Sequence, residues 1–454
     1  MSEKLFLFFT YQGSLLISLL LTLCFPSFAY GGKLQVAVNA ESAILINADT
    51  GAILYEKNAD RPQYPASITK IATCLFALHA LGNKLEDVVS AENDAIVTIT
   101  KEAKRRSGYS IPAWWLEVNS SHIGIKKGEE MRLEDLLYGM MVSSGNDAAN
   151  VIAQYVGGTI PSFLEEMNKY IKDLGCKTTT FYNPHGLHHP KHVTTARDMA
   201  IITREALQKE EFKTIVKTVR YTRPKTNKQQ PTVLVQTNKL LRKGKFFYPK
   251  AIGVKTGYTS DAMNTLVAAA ENDGRVLIAV LLKTKERDDL FKDAKKMFEV
   301  AFSQPKLEKV LIRSGAQKQK IKVPGGAKPL TALVEKDICL QFYPAEEPRL
   351  KCLLHLDEKL KAPIHKGELI GEIRLVNDEE RVVKTYPVLA HEDVPETWSH
   401  WLKESLFPKR KEASPNGVKR PEGIARWKTL ILFVVLGGGL FGLLFFYKKK
   451  RAVE

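Results

Sequence analysis

A serine three residues ahead of a lysine can become a nucleophile when a helix stacks one above the other, because the amine then lies beside the hydroxyl. The chain carries this spacing twice, at Ser67-Ile68-Thr69-Lys70 and at Ser303-Gln304-Pro305-Lys306. Context separates the two. Pro305 disfavours a helical conformation at Gln304, so the second pair does not share a helical face. Pro65 precedes Ser67, and Ile71, Leu75 and Leu78 form an apolar stripe at helical spacing, so the first pair opens a buried helix. Lys70 can accept the Ser67 proton only when neutral, which requires burial or a second cation beside it. Lys255, in Lys255-Thr256-Gly257, is the candidate for that cation, provided the fold brings the two lysines together.

The elements around these residues suit such a site. Ser144-Gly145-Asn146 falls where one apolar helix, Leu133 to Val142, stops and another, Ala148 to Tyr155, begins. Lys255-Thr256-Gly257 precedes a hairpin of Leu266 to Ala270 and Val276 to Leu282 joined by Asn272-Asp273-Gly274. On an exposed strand edge it could bind a peptide by strand addition. Taken singly, each motif reads as a cap, a turn or a solvated lysine. Together and in this order they resemble the three active-site motifs of serine penicillin-binding proteins and β-lactamases, and S-G-N and K-T-G each occur once in the chain. The wording around them, Ser42 to Gly51, Val142 to Ala148 and Gly253 to Thr259, resembles the D-alanyl-D-alanine carboxypeptidase branch. Leu360-Lys361-Ala362-Pro363 and Lys366-Gly367 resemble that branch's β-rich C-terminal domain.

The resemblance implies roles residue by residue. Ser67 is the acyl-forming nucleophile, Lys70 its general base, and Ser144 relays a proton to the leaving amine. Asn146 binds the substrate's peptide amide, Lys255 completes the electrostatic field, and Thr256 helps hold the terminal carboxylate. The backbone amides of Ser67 and Tyr258 form an oxyanion hole, and Gly257 leaves room for substrate along the strand. The implied activity is removal of the terminal D-alanine from peptidoglycan stem peptides, with β-lactams acylating the same serine and no cofactor. D,D-endopeptidase, β-lactamase and an idle wall-binding ectodomain are the alternatives. Damage to a motif would favour the last, and none shows it; no glutamate dedicated to deacylation is identifiable.

Asn183-Pro184-His185-Gly186-Leu187 also resembles a family segment near the cleft, but a lysine base leaves His185 no required task, so a turn histidine is expected. His188, His189 and His192 have no acidic partner at a metal-ligand spacing, and no metal is assigned. The family carries an Ala-Gly pair after the K-T-G segment where this chain has Ala262-Met263, a departure that bears on local strand geometry. Tyr109 to His122, with Trp114 and Trp115, is expected as a rim loop that sets substrate access.

The whole chain frames this site. Its 454 residues exceed one core, and 44% hydrophobic with 26% charged content argues for a folded protein. Much of the +17 charge sits in C-terminal lysines and arginines, without any nucleic-acid-binding motif, so no nucleic acid is expected as partner. Lys4, an apolar run and Ser27-Phe28-Ala29 read as a signal peptide over 1–29. The charge-free run 429–447, about 19 residues at roughly 1.5 Å each, reads as a transmembrane helix. Lys448 to Arg451 keep the tail 448–454 cytoplasmic, which puts the body outside the inner (cytoplasmic) membrane of a bacterium, in single-pass form. The expected fold class is α+β. A β-lactamase/transpeptidase-like catalytic domain over 30–303 is followed by a small all-β domain over 306–396, then an amphipathic segment and basic linker over 397–428. Cys339 and Cys352 fall in neighbouring strand-like segments, as a disulfide or as free thiols. Oligomeric state has no sequence signal here.

Overall fold

The computed structural model describes residues 32–82, 84–378 and 380–406. The expected leader over 1–29, the span over 429–447, the tail and most of the basic linker lie outside the described residues. Among the described residues no helix is long and apolar enough to cross a membrane.

The catalytic unit is built on a five-stranded antiparallel sheet of β1 (Ser42–Asn47), β2 (Ile53–Lys57), β3 (Ala251–Thr259), β4 (Met263–Asn272) and β5 (Arg275–Thr284), in the order β2-β1-β5-β4-β3. Asp273 and Gly274 turn β4 into β5 with positive φ at both residues, as a two-residue hairpin loop demands. The period of two then divides β4 and β5 between two cores. Val267, Ala269, Ile278 and Val280 join a cluster with the helices on one face, while Leu266, Ala268, Leu277 and Ala279 join another on the opposite face.

The first face carries α1 (Lys70–Leu81), α2 (Leu133–Val142), α3 (Asn146–Gly157), α4 (Ile160–Asp173) and α5 (Ala196–Ala206). The second is covered by α6 (Arg287–Phe302), through Leu290, Phe291, Ala294, Met297 and Phe298. Lys70 to Leu78 are all buried, so α1 is enclosed on every side rather than amphipathic. Ser303 caps the end of α6 and Lys306 is separated from it by an extended segment, which removes the second Ser/Lys pair from consideration.

The C-terminal unit is all β. Leu307–Ile312 pairs with Ile338–Phe342, and a five-stranded sheet runs in the order Gly315–Ile321, Leu330–Val334, Val382–Ala390, Leu369–Val376, Lys351–Leu356. The strand Gly315–Ile321 has no apolar alternation to announce it: it is an edge, and Lys318 and Lys320 are residues that protect edges from further pairing. Cys339 and Cys352 lie in different sheets as free thiols, so the disulfide alternative is not formed. The helix Trp398–Leu406 leaves Trp398 and Trp401 exposed.

A buried ion pair joins the two units. Arg275 donates to Glu346 Oε1 from Nη2 (2.5 Å) and Nε (3.0 Å) and to the Ala301 carbonyl from Nη1 (2.7 Å), with its guanidinium 3.8 Å from the Tyr343 ring centre. Both charged side chains are less than one tenth exposed. Removing one partner of such a pair strands the other charge, so Glu346→Ala is expected to destabilise the protein by about 3 kcal/mol in urea unfolding, against under about 1 kcal/mol for an exposed pair.

Candidate active site

Ser67 lies in a single tight turn, Ala66–Thr69, that runs straight into α1. The turn is held from both sides. Thr265 on β4 donates its hydroxyl to the Pro65 carbonyl (2.9 Å), and Gly186 approaches so closely that a Cβ there would stand 1.9 Å from the Ala66 carbonyl oxygen. Ala66 itself has φ +52°, a strained conformation one residue before Ser67.

Lys70 Nζ is 3.0 Å from Ser67 Oγ, 2.6 Å from Asn146 Oδ1 and 2.6 Å from the His185 carbonyl oxygen. Burial, and then the charge of Lys255, push its amine well below the ordinary lysine value, with Asp147 opposing. A neutral amine has two hydrogens and one lone pair. The Asn146 and His185 oxygens can only accept, so they take the hydrogens and leave the lone pair to the Ser67 hydroxyl.

Ser144, at φ +64°, occupies the turn between α2 and α3. Lys255 donates to Ser144 Oγ (3.0 Å) and to the Thr256 carbonyl (2.9 Å). Burial lowers it to about 7, whereas Lys70 is pushed down by the charge of Lys255 as well as by burial, so Lys255 is the amine better placed to hold a proton. Asp147 accepts from the amides of Ile123, Gly124 and Ile125 at 3.0, 2.8 and 3.0 Å, and Asn146 N donates to the Ser121 carbonyl (2.8 Å). These bonds fix the stretch from Ser121 to Ile125 against the turn.

Lys255, Thr256 and Gly257 lie within the edge strand β3, ahead of its hairpin partner, and Lys255 is wholly buried rather than exposed along that edge. A Cβ at Gly257 would sit 2.7 Å from Ser67 N and 2.5 Å from Thr265 Oγ1, so any side chain there would push the strand away from Ser67. Thr256 donates to the Thr237 hydroxyl (2.9 Å), and Tyr258 is 67% exposed. Met263 opens β4 with φ +55° while keeping its pairing to Thr259. The departure from the family's glycine is absorbed as local strain, with Asn264 still opposite Tyr258.

Ser67, Ser144, Asn146, Thr256, Gly257 and Tyr258 line one cleft of about 440 Å³, with Lys70 and Lys255 buried and bonded to its two serines. Asn119 and Ser120, from the expected rim segment, line it too, as do Thr237, Asn264 and Arg287, which were not foreseen because no motif marks them. His185 is a buried turn residue whose backbone carbonyl, not its ring, reaches Lys70. Its Nδ1 accepts from Leu187 N (3.1 Å), and burial holds the ring neutral. His192 lies between Thr69 Oγ1 (2.9 Å) and Tyr182 N (3.0 Å), lowered by burial to about 3. His188 and His189 pack on the rings of Tyr64, Tyr109 and Tyr182. Among the described residues no cluster of three or more His, Cys, Asp or Glu could hold a metal.

The family model for D-alanyl-D-alanine carboxypeptidase matches residues 31–286, and the model for the C-terminal domain of penicillin-binding protein 5 matches 308–396. The D-alanyl-D-alanine carboxypeptidase DacF of Bacillus subtilis is 34% identical over 366 residues, covering 79% of this chain and 87% of its own. DacA of Haemophilus influenzae is 32% identical over 345 residues, covering 74% and 80%. A crystal structure of penicillin-binding protein 5 from Haemophilus influenzae has a TM-score of 0.54 at 28% identity, covering 80% of this chain and 100% of that one.

The approach of β3 to Ser67 N gives a direct test. Gly257→Ala is expected to leave the fold intact through a small shift of the edge strand and to slow acylation of Ser67 by fluorescent penicillin by about a hundredfold or more, because misplacement of reacting groups by about 1 Å has that effect.

Proposed function

The chain belongs to the D-alanyl-D-alanine carboxypeptidase family of serine peptidases, and on that premise we propose how its cleft removes the terminal D-alanine from a peptidoglycan stem peptide. The observation that carries the reading is the two-amine arrangement: Lys70 on Ser67, Lys255 on Ser144, each at 3.0 Å. Lys70 takes the Ser67 proton as Oγ attacks the carbonyl carbon of the penultimate residue. The amides of Ser67 and Tyr258 hold the oxyanion, where each donor contributes roughly 3 kcal/mol to the transition state. Collapse expels the D-alanine amine, which takes its proton from Ser144, and the proton that Lys70 received from Ser67 restores the Ser144 hydroxyl, so Lys70 is neutral again and Lys255 keeps its charge. Water, deprotonated by the neutral Lys70, then attacks the ester, and Lys70 returns that proton to Ser67 Oγ as it leaves.

The substrate contacts follow from what remains unused. Asn146 offers its amide nitrogen to the substrate backbone, since its oxygen is engaged by Lys70. Thr256 and the Lys255 charge serve the terminal carboxylate. A β-lactam mimics the scissile dipeptide and acylates the same Oγ. The sequence further supports export, with the cleft on the outer face of the bacterial cytoplasmic membrane and the run 429–447 as anchor.

The test uses the full chain in detergent micelles. Fluorescent penicillin is expected to label the wild type and not Ser67→Ala, and D-alanine is expected to be released from a pentapeptide. Labelling without release would favour D,D-endopeptidase action, and an unlabelled folded protein would overturn the site. The pH profile of kcat/KM is expected to have two limbs. It falls on the acid side as Lys70 gains a proton, at a pH well below the ordinary lysine range, and on the alkaline side as Lys255 loses its own near 7.

A further inference from the structure

The segment Tyr109 to His122 is organised around a lysine that the reaction does not use. Lys104, in the short helix Lys101–Arg106, is 1% exposed, and its Nζ donates to the carbonyls of Ala113 (3.2 Å) and Trp115 (3.3 Å). The carbonyl between these two, that of Trp114, accepts from Asn150 Nδ2 (2.9 Å) and His185 Nε2 (3.1 Å). The His185 carbonyl is in turn bonded to Lys70 at 2.6 Å. Three consecutive carbonyls are thus each held, and the middle one is linked through a single residue to the general base.

We propose that Lys104 is a positioning residue for Lys70, acting through Trp114 and His185. The inference rests on the reading of Lys70 as the base. With Trp114 O fixed, the His185 ring has one tautomer available, Nε2–H donating to Trp114 and Nδ1 accepting from Leu187. That fixes the turn whose carbonyl takes one hydrogen of Lys70 and so aims the lone pair at Ser67. Burying an ammonium is costly, and burial does lower the proton affinity of Lys104 against the pull of Glu117. Its placement therefore makes the segment depend on its two hydrogen bonds. Without them the carbonyls of Ala113 and Trp115 turn towards water, and water reaches Lys70. Because burial is the main reason Lys70 is neutral, wetting raises its proton affinity. The other charges and titratable groups facing the pair are Lys255 and Asp147 at Lys70, and Glu117 with the uncharged rings of His185, His188, His189 and His192 near Lys104.

The experiment is the rate of acylation by fluorescent penicillin against pH, on the full chain, for wild type, Lys104→Met, Lys104→Gln and Asn150→Ala, each checked by thermal melting. Lys104→Met is expected to move the acid limb up by about one pH unit and so to slow acylation about tenfold at pH values below the limb. Asn150→Ala, which frees the Trp114 carbonyl from the other side, is expected to move the limb in the same direction. Lys104→Gln keeps a donor for the carbonyls and is expected to match wild type. An acid limb at the wild-type pH in either folded Met or Ala variant overturns the inference. So does a Lys104→Gln variant as impaired as Lys104→Met, which would assign the effect to charge alone. Absence of acylation in the wild type would instead overturn the reading of Ser67 and Lys70.

Discussion

Two lysine amines enclosed in one dry interior cannot both stay charged, because each loses its hydration and Lys70 also feels the charge of Lys255. Full burial alone can displace a lysine by roughly 3 to 5 pH units, more than a surface ion pair could restore. The outcome is unequal. Lys70 faces Lys255 as well as burial and gives up its proton, while Lys255 keeps one and shares it with Ser144. Two side chains of the same type are thereby set to different proton affinities within one site.

The rest of the catalytic unit keeps that interior dry and its walls in register. Helix α1 is apolar on all sides, so Lys70, its first residue, starts at the centre of the fold. The tight β4–β5 hairpin fixes the register of β4, and β4 presents Thr265 to the Ser67 turn while pairing with β3. Lys255 therefore arrives from a strand and Lys70 from a helix, and Val254 of the strand packs into the same core as α1. Asp147, through the amides of Ile123 to Ile125, and Asn146, through the Ser121 carbonyl, tie the end of the rim segment to the same turn that carries Ser144.

The legible parts of this protein are those written in side chains at fixed periods. Ser67 and Lys70 declare themselves through a helical stripe, and the hairpin behind Lys255 through Asp273-Gly274. Three features were not legible, for physical reasons. The His185 contribution is a backbone carbonyl, which every residue possesses. Lys104 looks like any solvated lysine in the basic run Lys101 to Arg106, and only the fold of the following segment buries it. The cleft residues Thr237 and Arg287 come from loops and element ends far apart in sequence. In the second unit, Gly315–Ile321 is a strand by pairing and not by composition.

The claim that Lys70 is neutral because it is buried beside a second amine can be read directly by carbon NMR of lysine labelled at the ε carbon, with Lys70→Met assigning the resonance. The account predicts a Lys70 titration well below the ordinary lysine range, moving upward when Lys255 is replaced by methionine. A Lys70 signal that titrates in the ordinary range, or one indifferent to Lys255→Met, would contradict it.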